Sequence, residues 1–320
     1  MVAQDSLEKR ELLMVEARRI CVSVPATTAN LGPGFDCLGA ALQLYNRFTF
    51  ELGEAGTGFE VAVSGLEAER VNRDPRQNLA CQVMSQLATK LGRSLPDLRL
   101  YIDLGVPLAR GLGSSATAII GGLLGANALL GSPLNQSELL NLAIEIEGHP
   151  DNVAPALLGG CCLSATDANE QWQICSVPWH ASIVPVVAIP DFELSTREAR
   201  AVLPGTVSRA DAIFNTAHLG LLLRALETGN SDWLRAALMD RLHQPYRWPL
   251  ITGVTAVQTE LLKTAAYGLV ISGAGPTLLA LAPANQAEAV AQVMQAAWQS
   301  AGVKAQAKVL ALDTQGASLT

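Results

Sequence analysis

The chain has 320 residues, of which 49% are hydrophobic and only 16% are charged, which excludes a disordered protein and predicts a deep core. Since this length exceeds what one hydrophobic core usually supports, we predict two domains. The net charge of -7 argues against binding to nucleic acid or anionic membranes through bulk electrostatics, so an anionic ligand would need a local binding device.

The N-terminus, the apolar segments and the cysteines predict a cytoplasmic protein. The first twenty residues alternate charges with short apolar pairs, which is the pattern of neither a signal peptide nor a membrane anchor. The longest apolar stretch, residues 116–130, contains several glycines and is too short for a membrane span. The 6 cysteines lack CxxC spacing, which favours buried free thiols in a reducing compartment.

The first hundred residues predict several strands and one helix. β-Forming residues cluster at residues 19–24, 46–52, 59–63 and 98–104. A helix with apolar residues at helical spacing is predicted from Asn78, a suitable N-cap residue, to residue 91.

Two further helices are predicted after a glycine-rich turn. The first is a buried helix at residues 114–130, which the sequence Gly131-Ser132-Pro133 ends. The second runs from Asn135 to Glu147, because Asn135 and Glu138 have the spacing of a capping box. Buried strands are then predicted at residues 157–164 and 183–189.

The last third of the chain is mainly helical in pattern, and a domain boundary is predicted near residues 180–195. Helices are predicted at residues 195–203, 207–226 and 284–300. Strands are predicted at residues 268–272, 278–281 and 305–312. A second glycine loop, GAGP, separates the first two of these strands.

The segment PLARGLGSSA at residues 107–116 has the features of a phosphate-binding loop. Gly111 and Gly113 permit positive φ and let a ligand approach the backbone. Ser114 and Ser115 then begin a helix, whose first amides lack partners and whose dipole favours anions. Their hydroxyls can donate to phosphate or ligate Mg²⁺. A glycine turn with serine capping of a core helix is the alternative interpretation.

Two known glycine loops fit this segment poorly. A Walker A loop ends in Gly-Lys, and the chain contains no such dipeptide. The spacing of Gly111, Gly113 and Ala116 matches a dinucleotide fingerprint, which keeps an oxidoreductase open as an alternative. That motif requires a β-α-β unit, however, and here the helix is predicted to lead into another helix.

Three segments resemble the motifs of the GHMP kinases, small-molecule kinases named for galactose, homoserine, mevalonate and phosphomevalonate. They are VPATTANLGPGFDCLGAAL at residues 24–42, PLARGLGSSA at 107–116 and GLVISGAGPTLLAL at 268–281. Within this family the homoserine kinases are the most similar subgroup. The similar segments are NLGPGFD at residues 30–36, EGHPDNVAPALLGG at 147–160, STREARAVLP at 195–204 and HQPYR at 243–247.

This resemblance implies an α+β, two-domain GHMP kinase fold. The N-terminal domain, at residues 19–185, would resemble domain 2 of ribosomal protein S5, and the C-terminal domain, at residues 186–314, would be ferredoxin-like. Residues 1–18 would form an extension and residues 315–320 a tail.

The implied reaction is transfer of the γ-phosphate of ATP to the side-chain hydroxyl of L-homoserine, in threonine biosynthesis. Another small hydroxylated acceptor is the main alternative, and a GHMP-fold protein that binds without catalysis is a weaker one. The implied partners are ATP and L-homoserine, without nucleic acid or membrane, and the composition allows a homodimer.

The resemblance also implies roles for single residues. Asn30 and Asp36 would face the amino group of the acceptor, while Arg200 and Arg247 would hold its carboxylate. The residues expected beside the acceptor hydroxyl or the transferring phosphate are His149, Asn152 and Thr196. The expected Mg²⁺ ligands are Ser115 and Glu147, with Glu145 as an alternative. The expected ATP-binding residues are Asn78, Pro107, Leu108, Ala109, Arg110, Gly111, Leu112, Gly113, Ser114, Ser115, Ala116, Thr117, Gly273 and Gly275.

The general base is the open role. Asp151 is a candidate, but the resemblance favours Asn152 beside the acceptor without a strong base. Phosphoryl transfer depends more on alignment and charge neutralisation than on full deprotonation of the nucleophile. Without the resemblance, an ordinary surface or loop role is the alternative interpretation of Glu147, His149, Arg200, Arg247 and Asp36.

Overall fold

Two β-sheets organise the computed structural model, which describes residues 19–320. The predicted extension at residues 1–18 lies outside the described residues. In chain order the strands are β1 (Arg19–Asn30), β2 (Gly34–Leu52), β3 (Phe59–Gly65), β4 (Leu98–Leu104), β5 (Cys161–Thr166), β6 (Trp172–Val177), β7 (Ile183–Pro190), β8 (Gly268–Ile271), β9 (Leu278–Pro283), β10 (Ala305–Val309) and β11 (Ser318–Leu319).

Helices cover these sheets. In chain order they are α1 (Leu79–Lys90), α2 (Ser114–Leu129), α3 (Gln136–Glu147), α4 (Pro150–Leu158), α5 (Thr196–Ala201), α6 (Arg209–Thr228), α7 (Ser231–Ala237), α8 (Gln244–Arg247), α9 (Val254–Leu261) and α10 (Ala287–Ser300). Short 3-10 helices span Ala68–Arg70, Trp248–Leu250 and Ala284–Gln286. No helix in the described part of the chain combines the length and the apolar character that a bilayer crossing requires.

The first sheet has the strand order β11-β1-β2-β4-β3, with β5 paired to β2 and β6 paired to β5. Helix α2 packs closely on it, because its glycines leave room for aromatic side chains. A Cβ at Gly121 would lie 2.4 Å from Cδ2 of Phe48, and a Cβ at Gly125 would lie 2.2 Å from Cζ of Phe50. The glycine-rich, uncharged sequence of α2 is therefore explained by contact with the sheet on one side and a buried position in the core.

The second sheet has the order β10-β7-β9-β8, with α9 and α10 on one face. Its central strands are apolar along their whole length, since both faces are buried. On the other face, Val187 and Leu279 pack in one cluster with Leu38 and Leu42 of β2 and with Leu222 of α6. The two sheets therefore share a core, and the loops at their junction are held close together.

Local sequence signals predicted several helix ends correctly. Asn78 caps α1, its side chain accepting a hydrogen bond from the amide of Cys81. Asn135 and Glu138 form the predicted capping box of α3. The predicted α+β fold class is confirmed, whereas the division into two domains near residues 180–195 stays a prediction.

Other element predictions were wrong in extent. The strand predicted at residues 157–164 begins only at Cys161, because residues 157 and 158 belong to α4. A turn at Gly159 and Gly160, both with positive φ, ends this helix. Strands β1 and β2 extend through the first motif, beyond the predicted segments. The residues 315–320 are not a separate tail, since β11 pairs with β1. The elements that the sequence patterns missed are α4, α7, α8, α9, β6 and β11.

Candidate active site

A cavity of about 420 Å³ lies where the loops of the two sheets meet. It is bordered by the turn between β1 and β2, the start of α2, the junction of α3 and α4, the start of α5 and the loop after β8. Every residue proposed above for catalysis, substrate or nucleotide lines this cavity except Pro107, Leu112, Ala116 and Thr117. Residues scattered from position 30 to position 275 therefore form one site.

The two glycine loops pack backbone against backbone at one wall of the cavity. A Cβ at Gly111 would lie 2.3 Å from the carbonyl oxygen of Ser272 and 2.9 Å from that of Gly275. The Ser272 hydroxyl donates to the carbonyl of Gly111 at 2.7 Å. Gly111 also has a φ of 76°, so both close approach and backbone conformation require glycine here.

The N-terminus of α2 is open toward the cavity. Its N-cap is Gly113, in the left-handed region, and the described residues supply no side-chain cap. The first amides of the helix are therefore free for an anionic ligand. The buried side chains of Leu112, Ala116 and Thr117 point into the core rather than the cavity, so these positions can contribute only backbone groups.

The Arg110 side chain is held by protein groups, and its predicted role in nucleotide binding stays a prediction. Its guanidinium, 6% exposed, donates to the carbonyls of Pro190 and Asp191, each at 3.0 Å. It also pairs with Glu67 at 3.1 Å and Glu193 at 3.0 Å. Arg110 thus ties the phosphate loop to the end of β7. The predicted contact Pro107 lines a second cavity of about 390 Å³, which Arg110 also borders.

Ser115 and Glu147 lie together at the open end of α2. The Ser115 hydroxyl donates to Oε1 of Glu147 at 2.8 Å. Burial raises the pKa of Glu147, against the opposing effects of this hydrogen bond and of the nearby His149 and Arg200 charges. A hydroxyl and a carboxylate beside a phosphate site fit Mg²⁺, which usually takes its other ligands from water and phosphates.

Two observations limit the possible metal ligands. Residues 19–320 contain no group of three or more His, Cys, Asp or Glu side chains arranged to hold a metal. The alternative ligand Glu145 is exposed, forms a salt bridge with Lys90 at 3.0 Å and does not line the cavity, which favours Glu147 for this role.

The acceptor end of the cavity contains a bidentate ion pair. Both carboxylate oxygens of Asp36 accept hydrogen bonds from Arg200, at 2.7 and 2.9 Å. Asn30 fixes the loop that carries Asp36, since its Oδ1 accepts from the Asp36 amide at 3.0 Å and its Nδ2 donates to the Gly273 carbonyl at 2.9 Å. Asn30 therefore joins the first and third motifs.

Arg247 provides a second cation and is only 1% exposed. Its Nε donates to the carbonyl of Ala199 at 3.1 Å, and its Nη1 donates to the carbonyl of Gly273 at 3.2 Å. Burial and the neighbouring Arg200 charge lower the pKa of Arg247 to about 10, which leaves it protonated at neutral pH. Its guanidinium lies 5.1 Å from the ring centre of Phe35.

Three polar side chains at the start of α4 form a hydrogen-bonded network. Oδ1 of Asp151 accepts hydrogen bonds from Nδ1 of His149 at 2.7 Å and from Nδ2 of Asn152 at 3.3 Å. Burial lowers the pKa of His149, but the hydrogen bond and charge of Asp151 outweigh it, and the net shift is upward. Thr196 is exposed at the first position of α5 and faces the same cavity.

Family comparisons agree with this geometry. A model of the GHMP kinase N-terminal domain matches residues 78–160, and a model of the GHMP kinase C-terminal region matches residues 222–300. The chain belongs to the GHMP kinase family. GHMP kinase membership confirms the predicted fold and implies ATP as the phosphoryl donor.

The comparisons also identify the branch of the GHMP kinases. Homoserine kinases from Microchaete diplosiphon and Nostoc punctiforme are each 62% identical to this chain over 93% of its length. The matched regions cover 96% and 97%, respectively, of those two proteins. The crystal structure of homoserine kinase from Cytophaga hutchinsonii is 27% identical, with a TM-score of 0.85 over 95% of this chain and 98% of that chain. The predicted similarity to homoserine kinases is confirmed.

Several residues of this GHMP kinase site were missed by the sequence analysis. The buried Thr27 donates its hydroxyl to Oδ1 of Asn152 at 2.7 Å across 125 positions. Asn46 donates to the Thr117 hydroxyl at 2.7 Å and accepts from two loop amides that precede the phosphate loop. The signals for Thr27 and Asn46 were a polar residue inside a strand and, for Thr27, its place in the first motif, since their partners lie far away in the sequence. His243, in the HQPYR segment, was also missed.

Proposed function

We propose that the protein transfers the γ-phosphate of ATP to the side-chain hydroxyl of L-homoserine and releases O-phospho-L-homoserine and ADP, a step of threonine biosynthesis. One observation carries this proposal. A single cavity joins an open helix N-terminus, suited to phosphate, to a cluster of Asp36, Arg200 and Arg247, suited to an amino acid.

The charges at the acceptor end match a zwitterion. An ammonium group can pair with the Asp36 carboxylate, and a carboxylate can bind the guanidinium groups of Arg200 and Arg247. Because Asp36 and Arg200 already contact each other, the two ends of an amino acid would meet complementary charges only a few ångströms apart. Mevalonate lacks the ammonium group and galactose carries neither charge, so both fit this cluster less well.

The reacting end supports catalysis by alignment. Asn152 is held by Thr27 and lies next to His149 and Asp151, facing the same cavity as the phosphate loop. Ser115 and Glu147 would hold Mg²⁺, which neutralises phosphate charge when bound. The amides of the first turn of α2 would bind the phosphates, and the surrounding residues would orient the acceptor hydroxyl.

The test is ADP release by the purified protein with Mg²⁺-ATP and, in separate reactions, L-homoserine, L-serine, mevalonate and galactose. We expect turnover chiefly with homoserine, and NMR detection of O-phospho-L-homoserine identifies the product. Preferential turnover of another acceptor would overturn homoserine as the substrate but support the assignment as a kinase. If no acceptor were turned over, binding of a ligand without catalysis would be favoured.

The same proposal includes a cytoplasmic location, a homodimer, and no nucleic-acid or membrane partners.

Asp151→Asn is expected to lower kcat for homoserine less than about tenfold, since alignment and not proton removal would limit the reaction. The amide keeps an oxygen that can accept from His149. A general base would contribute roughly 10²–10⁴-fold. Steady-state kinetics across pH distinguish these cases, with Asp97→Asn, remote from the cavity, as the control. A loss above a hundredfold in folded protein would assign Asp151 as the base.

A further inference from the structure

The imidazole of His243 lies fully buried between the first motif and Arg247. Its Nε2 is 2.9 Å from the carbonyl oxygen of Gly32, and its Nδ1 is 3.2 Å from Nη1 of Arg247. The ring also stacks on Phe35, with centres 5.0 Å apart. His243 therefore contacts both the turn that leads to Asp36 and the proposed carboxylate-binding cation.

These contacts define one tautomer. A guanidinium nitrogen only donates hydrogen bonds, so Nδ1 of His243 must accept from Arg247. A carbonyl oxygen only accepts, so Nε2 must carry the proton and donate to Gly32. The ring is then neutral, and burial, which lowers the pKa of His243, acts in the same direction.

A buried carboxylate fixes the backbone around His243. Both oxygens of Asp240, whose side chain is 0% exposed, accept hydrogen bonds. The donors are the amides of Leu242, His243 and Gln244 and the side chain of Asn215. The position of the ring is therefore set independently of any ligand.

The resulting geometry restricts Arg247. Its Nε and Nη1 are bound to protein groups, whereas Nη2 has no partner among residues 19–320 and can bind a ligand in the cavity that Arg247 lines. A lysine or arginine in place of His243 would offer no acceptor and would put a second cation beside Arg247. A neutral histidine at this position avoids both costs.

We infer that His243 is a positioning residue for acceptor recognition: its Nδ1 accepts from Arg247 and holds the guanidinium with one edge toward the carboxylate of the acceptor. This inference rests on the proposed function. It assigns His243 a role in the KM for the amino acid and none in nucleotide binding or phosphoryl transfer.

Two variants separate the two ring nitrogens. The amide of His243→Asn lies near the position of Nδ1 and keeps an acceptor for Arg247, whereas the amide of His243→Gln reaches toward Nε2 and Gly32. We expect His243→Gln to raise the KM for homoserine about 10-fold to 100-fold, the usual effect of losing a hydrogen bond to a charged group. For His243→Asn we expect less than about a threefold increase, with kcat and the KM for ATP unchanged in both.

A structural role would give a different pattern. Three results would overturn the inference. The KM values for homoserine and ATP could rise equally, the two substitutions could change the KM for homoserine equally, or His243→Gln could leave the KM for homoserine unchanged. Melting temperature and ADP binding report whether each variant is folded. Nitrogen-15 NMR of the wild-type imidazole needs no variant to fold, and a protonated Nδ1 would also refute the proposal. If the wild-type protein does not phosphorylate homoserine, the proposed function fails, while NMR still decides whether Nδ1 accepts from Arg247.

Discussion

Arg247→Met is expected to reduce kcat/KM for homoserine by roughly 30-fold to 4,000-fold, corresponding to about 2–5 kcal/mol for removal of one partner of a desolvated charge pair. Methionine fills a similar volume but supplies no positive charge. The carbonyls of Ala199 and Gly273 also lose a donor, so a lower melting temperature is expected. The loss should be specific to the acceptor, because Arg247 lies at the amino-acid end of the cavity.

The measurement is steady-state kinetics with homoserine and ATP varied in turn, together with calorimetric binding of ADP. The matched control is Arg224→Met, which removes an arginine of α6 that is 60% exposed and, within residues 19–320, is paired only with Glu227. We expect the control to keep wild-type kinetics. If folded Arg247→Met lost less than about tenfold in kcat/KM for homoserine, Arg247 would not hold the carboxylate, and Arg200 would have to do so alone.

Sequence patterns predicted the fold well where cause and effect are close in the chain. Asn78 and Asn135 cap helices whose amides lie three residues away, so the pattern contains the whole interaction. Helix α4 was missed and its last residues were assigned to a strand, because an apolar residue such as Leu157 fits a buried strand as well as a buried helix. Only the three-dimensional packing distinguishes the two.

The site was predictable as a set of positions but not as a set of contacts. The motifs converge on one cavity, as the resemblance implied, yet Asn30 and Arg110 use much of their hydrogen-bonding capacity on protein groups. Thr27 and His243 lie in segments that carry the resemblance, but spacing did not single them out, because their contacts with Asn152 and Arg247 form only once the chain has folded. Spacing shows which residues can be near a ligand, whereas hydrogen bonding decides which remain free to bind it.

Gly113→Ala is expected to lower kcat/KM for ATP by more than about a hundredfold, since small displacements of groups that position substrate have effects of this size. The new Cβ would lie 1.9 Å from Oγ1 of Thr27 and 3.2 Å from Oδ1 of Asn152. Thr27 is buried and already donates to Asn152, so it cannot move without disturbing the acceptor side. The phosphate loop would have to shift, and the first amides of α2 would shift with it.

Gly131→Ala, at the other end of α2, separates this clash from backbone strain. Gly131 has a φ of 82°, comparable to the 68° of Gly113, but a Cβ there would meet no described atom within 4 Å. Both variants should lose about 1–2 kcal/mol of stability from the left-handed conformation, measured by chemical denaturation. Only Gly113→Ala should lose ATP-dependent turnover and ADP affinity. If folded Gly113→Ala bound ADP as tightly as Gly131→Ala, the N-terminus of α2 would not be the phosphate site.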